Sequence, residues 1–312
     1  MARPISNASL LLGAVITAVA AAAMLAFAAQ PLDAASWIAR HWLRVRGFEE
    51  LEVAGPRGPI RVIEGGRGSP LVLVHGFADR AMGWRRVLPG LAESHRVIAP
   101  DLAGHGESAP SRAAELSLDD TFSSLRRVVD ARAPDTPVVL VGHSMGGRLA
   151  ARFALEAPDR VAHLVLVNAG GLRGPLDRGA MLPSTREAVE RRLDRLLGEA
   201  APPLPDFVID DLIDLHAGHG LHTLFDSIAA AVPLDGRLAA LQVPTSVLWG
   251  QGGGMRPEEV GRRWHAGVAG SRLRWLPGCA EAPQVTCPDR FVEVVGEELA
   301  ASEPGVAQLG LQ

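Results

Sequence analysis

The residues best suited to chemistry are one serine between glycines and the histidines near it. Gly142-His143-Ser144-Met145-Gly146 follows an apolar run over residues 138–141 and precedes a helical pattern over 148–157. A hydroxyl lifted on a sharp turn between a buried strand and a helix is open to an electrophilic carbon, and the helix amino terminus stabilises negative charge developing beside it. The glycines matter because such a turn crowds the backbone. A second element, His75-Gly76-Phe77, ends the first apolar run. There the Phe77 N–H can join that of Met145 to bind an oxyanion. These residues describe acyl transfer, with Ser144 as nucleophile and Phe77 and Met145 as oxyanion donors.

The elements that must position them follow from pattern. Short valine- and leucine-rich runs at 71–74, 96–99, 138–141, 164–167, 246–249 and 273–276 are bounded by glycine or proline and alternate with helical segments. Most read as strands buried on both faces of a parallel sheet, which makes the chain a doubly wound α/β domain. Residues 51–53 and 60–63 around Gly55-Pro56-Arg57-Gly58-Pro59 read as a hairpin before it. The interval 171–236 breaks the rhythm with helical patterns at 185–197 and 206–216, and reads as a helical cap.

The loop Asp101-Leu102-Ala103-Gly104-His105-Gly106-Glu107-Ser108 follows the second buried strand. With the two elements above, in this order, it resembles the α/β-hydrolase superfamily from about residue 60 to residue 299. The resemblance implies a mostly parallel sheet with a helical cap insertion, loop-shaping roles for His75, His105 and His143, and neither cofactor nor metal. The cap phrases Leu182-Pro183-Ser184-Thr185-Arg186-Glu187 and Leu204-Pro205-Asp206-Phe207 resemble bacterial lipases and monoacylglycerol lipases that carry an N-terminal hydrophobic segment. That likeness implies an acyl ester or lipid-like small molecule as substrate class, with an apolar acyl pocket under the cap.

Two positions depart from the family phrases. In Trp249-Gly250-Gln251-Gly252-Gly253-Gly254-Met255-Arg256-Pro257 the catalytic aspartate position falls on Gly253. In Gly278-Cys279-Ala280-Glu281-Ala282-Pro283 the histidine position is Glu281. The acid of a serine triad holds the imidazole in place, so loss of the base leaves the acid little purpose. A carboxylate is a poor acceptor for a serine proton at neutral pH unless burial raises its pKa. The resulting expectation is a catalytically impaired protein that acts by binding a ligand or a partner. The alternative is an active carboxylic-ester hydrolase with a non-standard base, either Glu281 or one of the cap histidines His216, His219 and His222, which otherwise read as sharing a helix or turn with solvent. Intact surroundings predict that Glu281→His with Gly253→Asp restores the machinery.

Composition removes other classes. The 312 residues are 47% hydrophobic, with a formal charge of -4 and no basic run interleaved with aromatics, so nucleic acid is not an expected partner. No lysine is present, which excludes a Schiff base. Cys279 and Cys287 are too few for a disulfide scaffold and read as separate thiols. Residues 9–29 carry no charge, and at about 1.5 Å per residue they can span a bilayer core. Residues 1–30 are therefore read as a membrane anchor, or as a cleaved signal segment ending near Ala26-Phe27-Ala28, which would leave the domain secreted or periplasmic. Over 31–48, Trp37, Ile38, Trp42 and Val45 recur at helical spacing among Arg40, Arg44 and Arg46, the pattern of an amphipathic juxtamembrane helix. Three arginines after the span against one before it favour a cytoplasmic domain by a small margin that leaves the side open. The hydrolase domain is expected over 49–302, with a tail at 303–312.

Overall fold

The computed structural model describes residues 31–108 and 114–302; the expected anchor over 1–30 and the tail over 303–312 lie outside the described residues. Eight strands form one sheet in the order β1-β2-β4-β3-β5-β6-β7-β8. β1 (Glu49–Gly55) and β2 (Gly58–Gly65) are the hairpin, and β2 runs antiparallel to β4 (Arg96–Pro100). The parallel part comprises β3 (Pro70–Val74), β4, β5 (Val138–His143), β6 (Val161–Val167), β7 (Thr245–Gly250) and β8 (Arg272–Leu276).

Strand side chains alternate between faces, and both faces are buried along most of the central strands β3 to β7, which is why their runs are largely apolar, whereas β1 and β8 at the two edges are more exposed. Val72, Val74 and Leu140 pack with Phe122 of α3 (Leu118–Arg132), Leu149 of α4 (Met145–Glu156) and Trp264 of α9 (Glu258–Gly267). Leu71, Leu73, Val139 and Val141 pack on the opposite face with Leu88 of α2 (Leu88–Ala92) and Phe291 of α11 (Pro288–Ala300). The interval 171–236 holds α5 (Arg178–Met181), α6 (Arg186–Leu197), α7 (Asp206–His216) and α8 (His219–Ala230), and α10 (Pro283–Thr286) follows β8. The side chain of Thr185 accepts from the Ala188 N–H and so fixes the start of α6.

Helix α1 (Pro31–Val45) lies along the domain. Leu43 enters the second core cluster, while Trp37, Ile38, Trp42 and Val45 stay exposed. Of the arginines expected to reach toward a membrane surface, Arg40 instead binds Glu107 at 2.5 Å and Arg44 binds Glu50 at 3.0 Å. Arg46 stacks over the Trp42 ring at 3.6 Å. No helix among the described residues is long and apolar enough to cross a membrane.

Candidate functional site

In an open α/β sheet, chemistry gathers where the carboxyl ends of the strands meet the loops. Here the register aligns those ends: Val74 pairs with Gly142, His143 with Val167, Val167 with Leu248, and Gly250 with Leu276. Ser144 stands in the turn between β5 and α4 with φ 56° and ψ -118°, a conformation that side chains rarely adopt. It is held there because the Ser144 N–H donates to Val167 O at 3.1 Å and the Gly170 N–H to Ser144 O at 2.8 Å. A Cβ on Gly146 would stand 2.5 Å from His75 O, so only glycine lets α4 start against the end of β3. The serine side chain does not cap α4.

The turn after β3 passes directly by: a Cβ on Gly76 would lie 3.1 Å from Ser144 Cβ. Phe77 and Met145 are buried there, and among the described residues neither amide donates in a turn or loop hydrogen bond. The three histidines of the motifs are occupied with backbone. His75 Nε2 accepts from the Leu102 N–H at 3.0 Å, His105 Nδ1 lies 3.1 Å from Ala103 O, and His143 Nε2 lies 3.0 Å from Glu281 O. Burial holds His105 and His143 down at about 4, so both are neutral.

The family profile described as alpha/beta hydrolase fold matches residues 69–224, which include this elbow and the strands on either side. The chain belongs to the α/β hydrolase fold family. It is 30% identical over 275 residues to the 2-hydroxymuconate semialdehyde hydrolase of Pseudomonas sp. (strain CF600), covering 81% of this chain and 94% of that one. An uncharacterized protein of Mycobacterium tuberculosis (strain H37Rv) is 29% identical over 288 residues, with 81% and 84% covered. Among solved structures, a bacterial membrane phospholipase A superposes with a TM-score of 0.76 at 25% identity, covering 95% of this chain and 99% of that one.

The loops after β7 and β8 carry Gly253 and Glu281, the two positions singled out in the sequence. Glu281 is buried, at 1% exposure. Its Oε1 accepts from Arg256 Nη1 at 2.6 Å, and its Oε2 accepts from the Arg256 N–H at 3.2 Å and from Asn168 Nδ2 at 3.4 Å. The other arm of the same guanidinium, Nη2, donates to Ser144 Oγ at 3.1 Å. Among the described residues no imidazole is hydrogen-bonded to that oxygen. Burial pushes the Glu281 carboxyl up, and the Arg256 charge pulls the other way. A guanidinium has five donors and no acceptor, so it favours negative charge on the serine oxygen but cannot take its proton. The carboxylate that is able to accept one is committed to the guanidinium instead.

Sequence reasoning missed Arg256, though a signal existed. It is the one charged residue between Trp249 and Pro257, and the one side chain in that glycine run long enough to cross to the serine. Gly253 is a second correction. A Cβ there would stand 2.9 Å from Arg195 O, 3.0 Å from Glu281 Cβ and closer still to Glu281 N. The position is wedged between α6 and the Glu281 loop, so the expected restoration by Gly253→Asp has no room for its side chain.

The cysteines are a third correction. Cys279 and Cys287 form a disulfide, with Cα atoms 5.6 Å apart. The one-turn α10 reverses the chain between them, and the Cys287 N–H donates to Pro283 O at 2.9 Å. The bridge therefore closes the short loop that carries Glu281.

Two of the cap histidines, His216 and His222, have ring nitrogens within hydrogen-bond distance of backbone carbonyls. His216 was expected to share solvent, but it is buried: its Nδ1 lies 2.6 Å from Leu212 O, and burial holds it at about 4. His222 Nε2 lies 3.1 Å from His216 O. His216 and His222 line a cavity of about 310 Å³ within the cap, together with Leu182, Pro183 and Ile213. A second cavity of about 310 Å³ lies between α1 and α7, among Leu32, Met82, Leu212 and Leu215, with Asp79 and Arg80 in its wall. Ser144 lines neither.

Proposed function

We propose that this α/β hydrolase is a membrane-associated lipase-type protein that binds an acyl ester or related lipid without efficient turnover. The observation that carries this reading is the arginine between serine and glutamate: Arg256 donates to Ser144 Oγ at 3.1 Å and to Glu281 Oε1 at 2.6 Å, where a triad would place its imidazole. The elbow and the two oxyanion amides suit binding of an ester carbonyl, while proton transfer lacks its carrier. The ligand class is supported by the likeness to a membrane phospholipase A and by the cap phrases. Membrane attachment is supported by the uncharged stretch at 9–29 and the exposed Trp37 and Trp42 on the helix that follows. The Cys279–Cys287 bridge favours an oxidising compartment for the domain over the cytoplasm.

Short-chain ester hydrolysis by the full chain and by Ser144→Ala tests the reading. Loss of the base from a serine triad costs up to about 10⁶-fold in kcat, so the expected residual rate is low and hardly changes on removing Ser144. Robust turnover that Ser144→Ala abolishes would establish the competing reading, an active ester hydrolase. Carbonate-resistant sedimentation with membranes is expected of the anchored chain, and recovery of a soluble form beginning near Ala29 would replace the anchor by a signal segment.

A further inference from the structure

Helix α6 carries a stripe that is unusual for a cap helix. Positions 188, 191, 192 and 195 share one face at helical spacing, and they hold Ala188, Arg191, Arg192 and Arg195 where a packed helix would carry apolar residues. That face looks across a cavity of about 160 Å³ to Asp177, Gly179 and Ala180 at the start of α5. Small residues on both walls leave the space open. At roughly 30 Å³ per water, it holds one tetrahedral oxyanion with a few waters.

The charges in this cavity do not balance. Asp177 accepts from the Ala180 N–H at 3.1 Å and pairs with Arg195 at 3.3 Å. Among the described residues no carboxylate lies within ion-pair distance of Arg191 or Arg192. Glu187, one turn earlier on the exposed side, feels the charge of Arg191 but does not line the cavity. Arg192 is 8% exposed, and its Nη1 donates to Ala180 O at 2.8 Å and Met181 O at 3.4 Å. Burial pushes it down to about 10, with Asp79 the carboxylate that partly offsets this. A buried guanidinium with no carboxylate within ion-pair distance is costly, and an anion in the cavity would lower that cost.

We propose that this cavity in the cap binds a phosphate group, held by the planar donor forks of Arg191, Arg192 and Arg195. Three guanidinium groups line the cavity against one carboxylate, Asp177, while Asp79 and Glu187 offset Arg192 and Arg191 only from outside it, and the fork geometry suits phosphate oxygens better than a point charge would. Ser144 does not line this cavity, although the charge of Arg192 is felt at Arg256 and His143. The cavity is joined to the elbow region by backbone as well: Arg195 O accepts from the Gly254 N–H at 3.1 Å and Leu196 O from the Ala282 N–H at 3.2 Å. An occupant therefore bears on the helix turn that clamps the two loops carrying Arg256 and Glu281.

Two sources share this chemistry, free phosphate and a phospholipid headgroup, and calorimetry separates them. The full chain in non-ionic detergent is titrated with inorganic phosphate and with water-soluble dihexanoyl phosphatidate, at an ionic strength held constant with sodium chloride. Saturable binding is expected, weakened about tenfold or more in Arg191→Gln/Arg195→Gln, whose exposed positions leave folding intact. Arg192→Gln should lose binding as well, provided circular dichroism shows it folded. Equal affinity for the two titrants assigns free phosphate, whereas phosphatidate favoured by about tenfold or more assigns a lipid headgroup. Failure of both to saturate, or binding unchanged in the exposed double variant, would overturn the site.

Discussion

Replacing Arg256 by methionine probes the arrangement at its centre. The substitution keeps the aliphatic stem but removes the charge that faces Glu281, leaving that carboxylate with the residue-256 backbone N–H at 3.2 Å and Asn168 Nδ2 at 3.4 Å in a site 1% exposed. Breaking a buried pair from one side costs about 3–5 kcal/mol. Protonation sets a ceiling on that loss. The carboxyl ordinarily titrates at 4.5, and holding it neutral costs about 1.4 kcal/mol for each pH unit above that value. The ceiling is therefore about 1.4 kcal/mol near pH 5.5 and about 4 kcal/mol near pH 7.5. The destabilisation should grow with pH, because the folded variant holds a proton that the unfolded chain has released. Adding Glu281→Gln removes the stranded charge and should recover most of the loss near neutral pH. Urea unfolding followed by tryptophan fluorescence, at about pH 5.5 and 7.5, reads all four chains of the cycle. A loss below about 1 kcal/mol near pH 7.5, a loss equal at both pH values, or a double variant weaker than Arg256→Met would refute the buried ion pair.

Two further outcomes follow from the packing. Gly253→Ala should cost about 2 kcal/mol or more, since its Cβ meets backbone, whereas Gly254→Ala, whose Cβ meets only Arg195 Cγ at 3.6 Å, should be nearly neutral; equal urea midpoints would contradict the wedge. His105, His143, His163 and His216 are buried and held at about 4, against 6.5 when unfolded, so the unfolded state takes up protons first as pH falls. Their contribution, on the order of 3 kcal/mol each, is fully present above about pH 6.5 and lost toward pH 4. Glu281, Asp79 and Asp101, whose pKa values are raised by burial, act in the opposite sense but are fewer. The urea midpoint should be lower near pH 5 than near pH 7.5, and an equal or higher one would contradict this assignment.

The fold was legible because its signals are local. Runs such as 138–141 and 164–167 are apolar at every position, as strands covered on both faces must be, and the structure forms β5 and β6 there. The serine turn was legible for the same reason, since its glycines answer to backbone crowding within a few residues. What escaped depends on distant segments. Arg256 acquires its role because β7 and β5 bring residues 112 positions apart within a hydrogen bond. The wedge at Gly253 involves Arg195 of the cap, and the disulfide depends on the reversal made by α10, so neither could be read from residue type alone. His216 was misread because helical spacing does not tell which side of a cap helix faces the core.

The central claim is that Ser144 lacks an activating base, and its reaction with a fluorophosphonate measures this most directly. Activated serines are phosphonylated within minutes, because a neighbouring base removes the proton as the oxygen attacks phosphorus. The full-length chain should remain unlabelled by intact-mass spectrometry, like its Ser144→Ala variant, over hours of exposure. Stoichiometric labelling within minutes that disappears in Ser144→Ala would contradict the account.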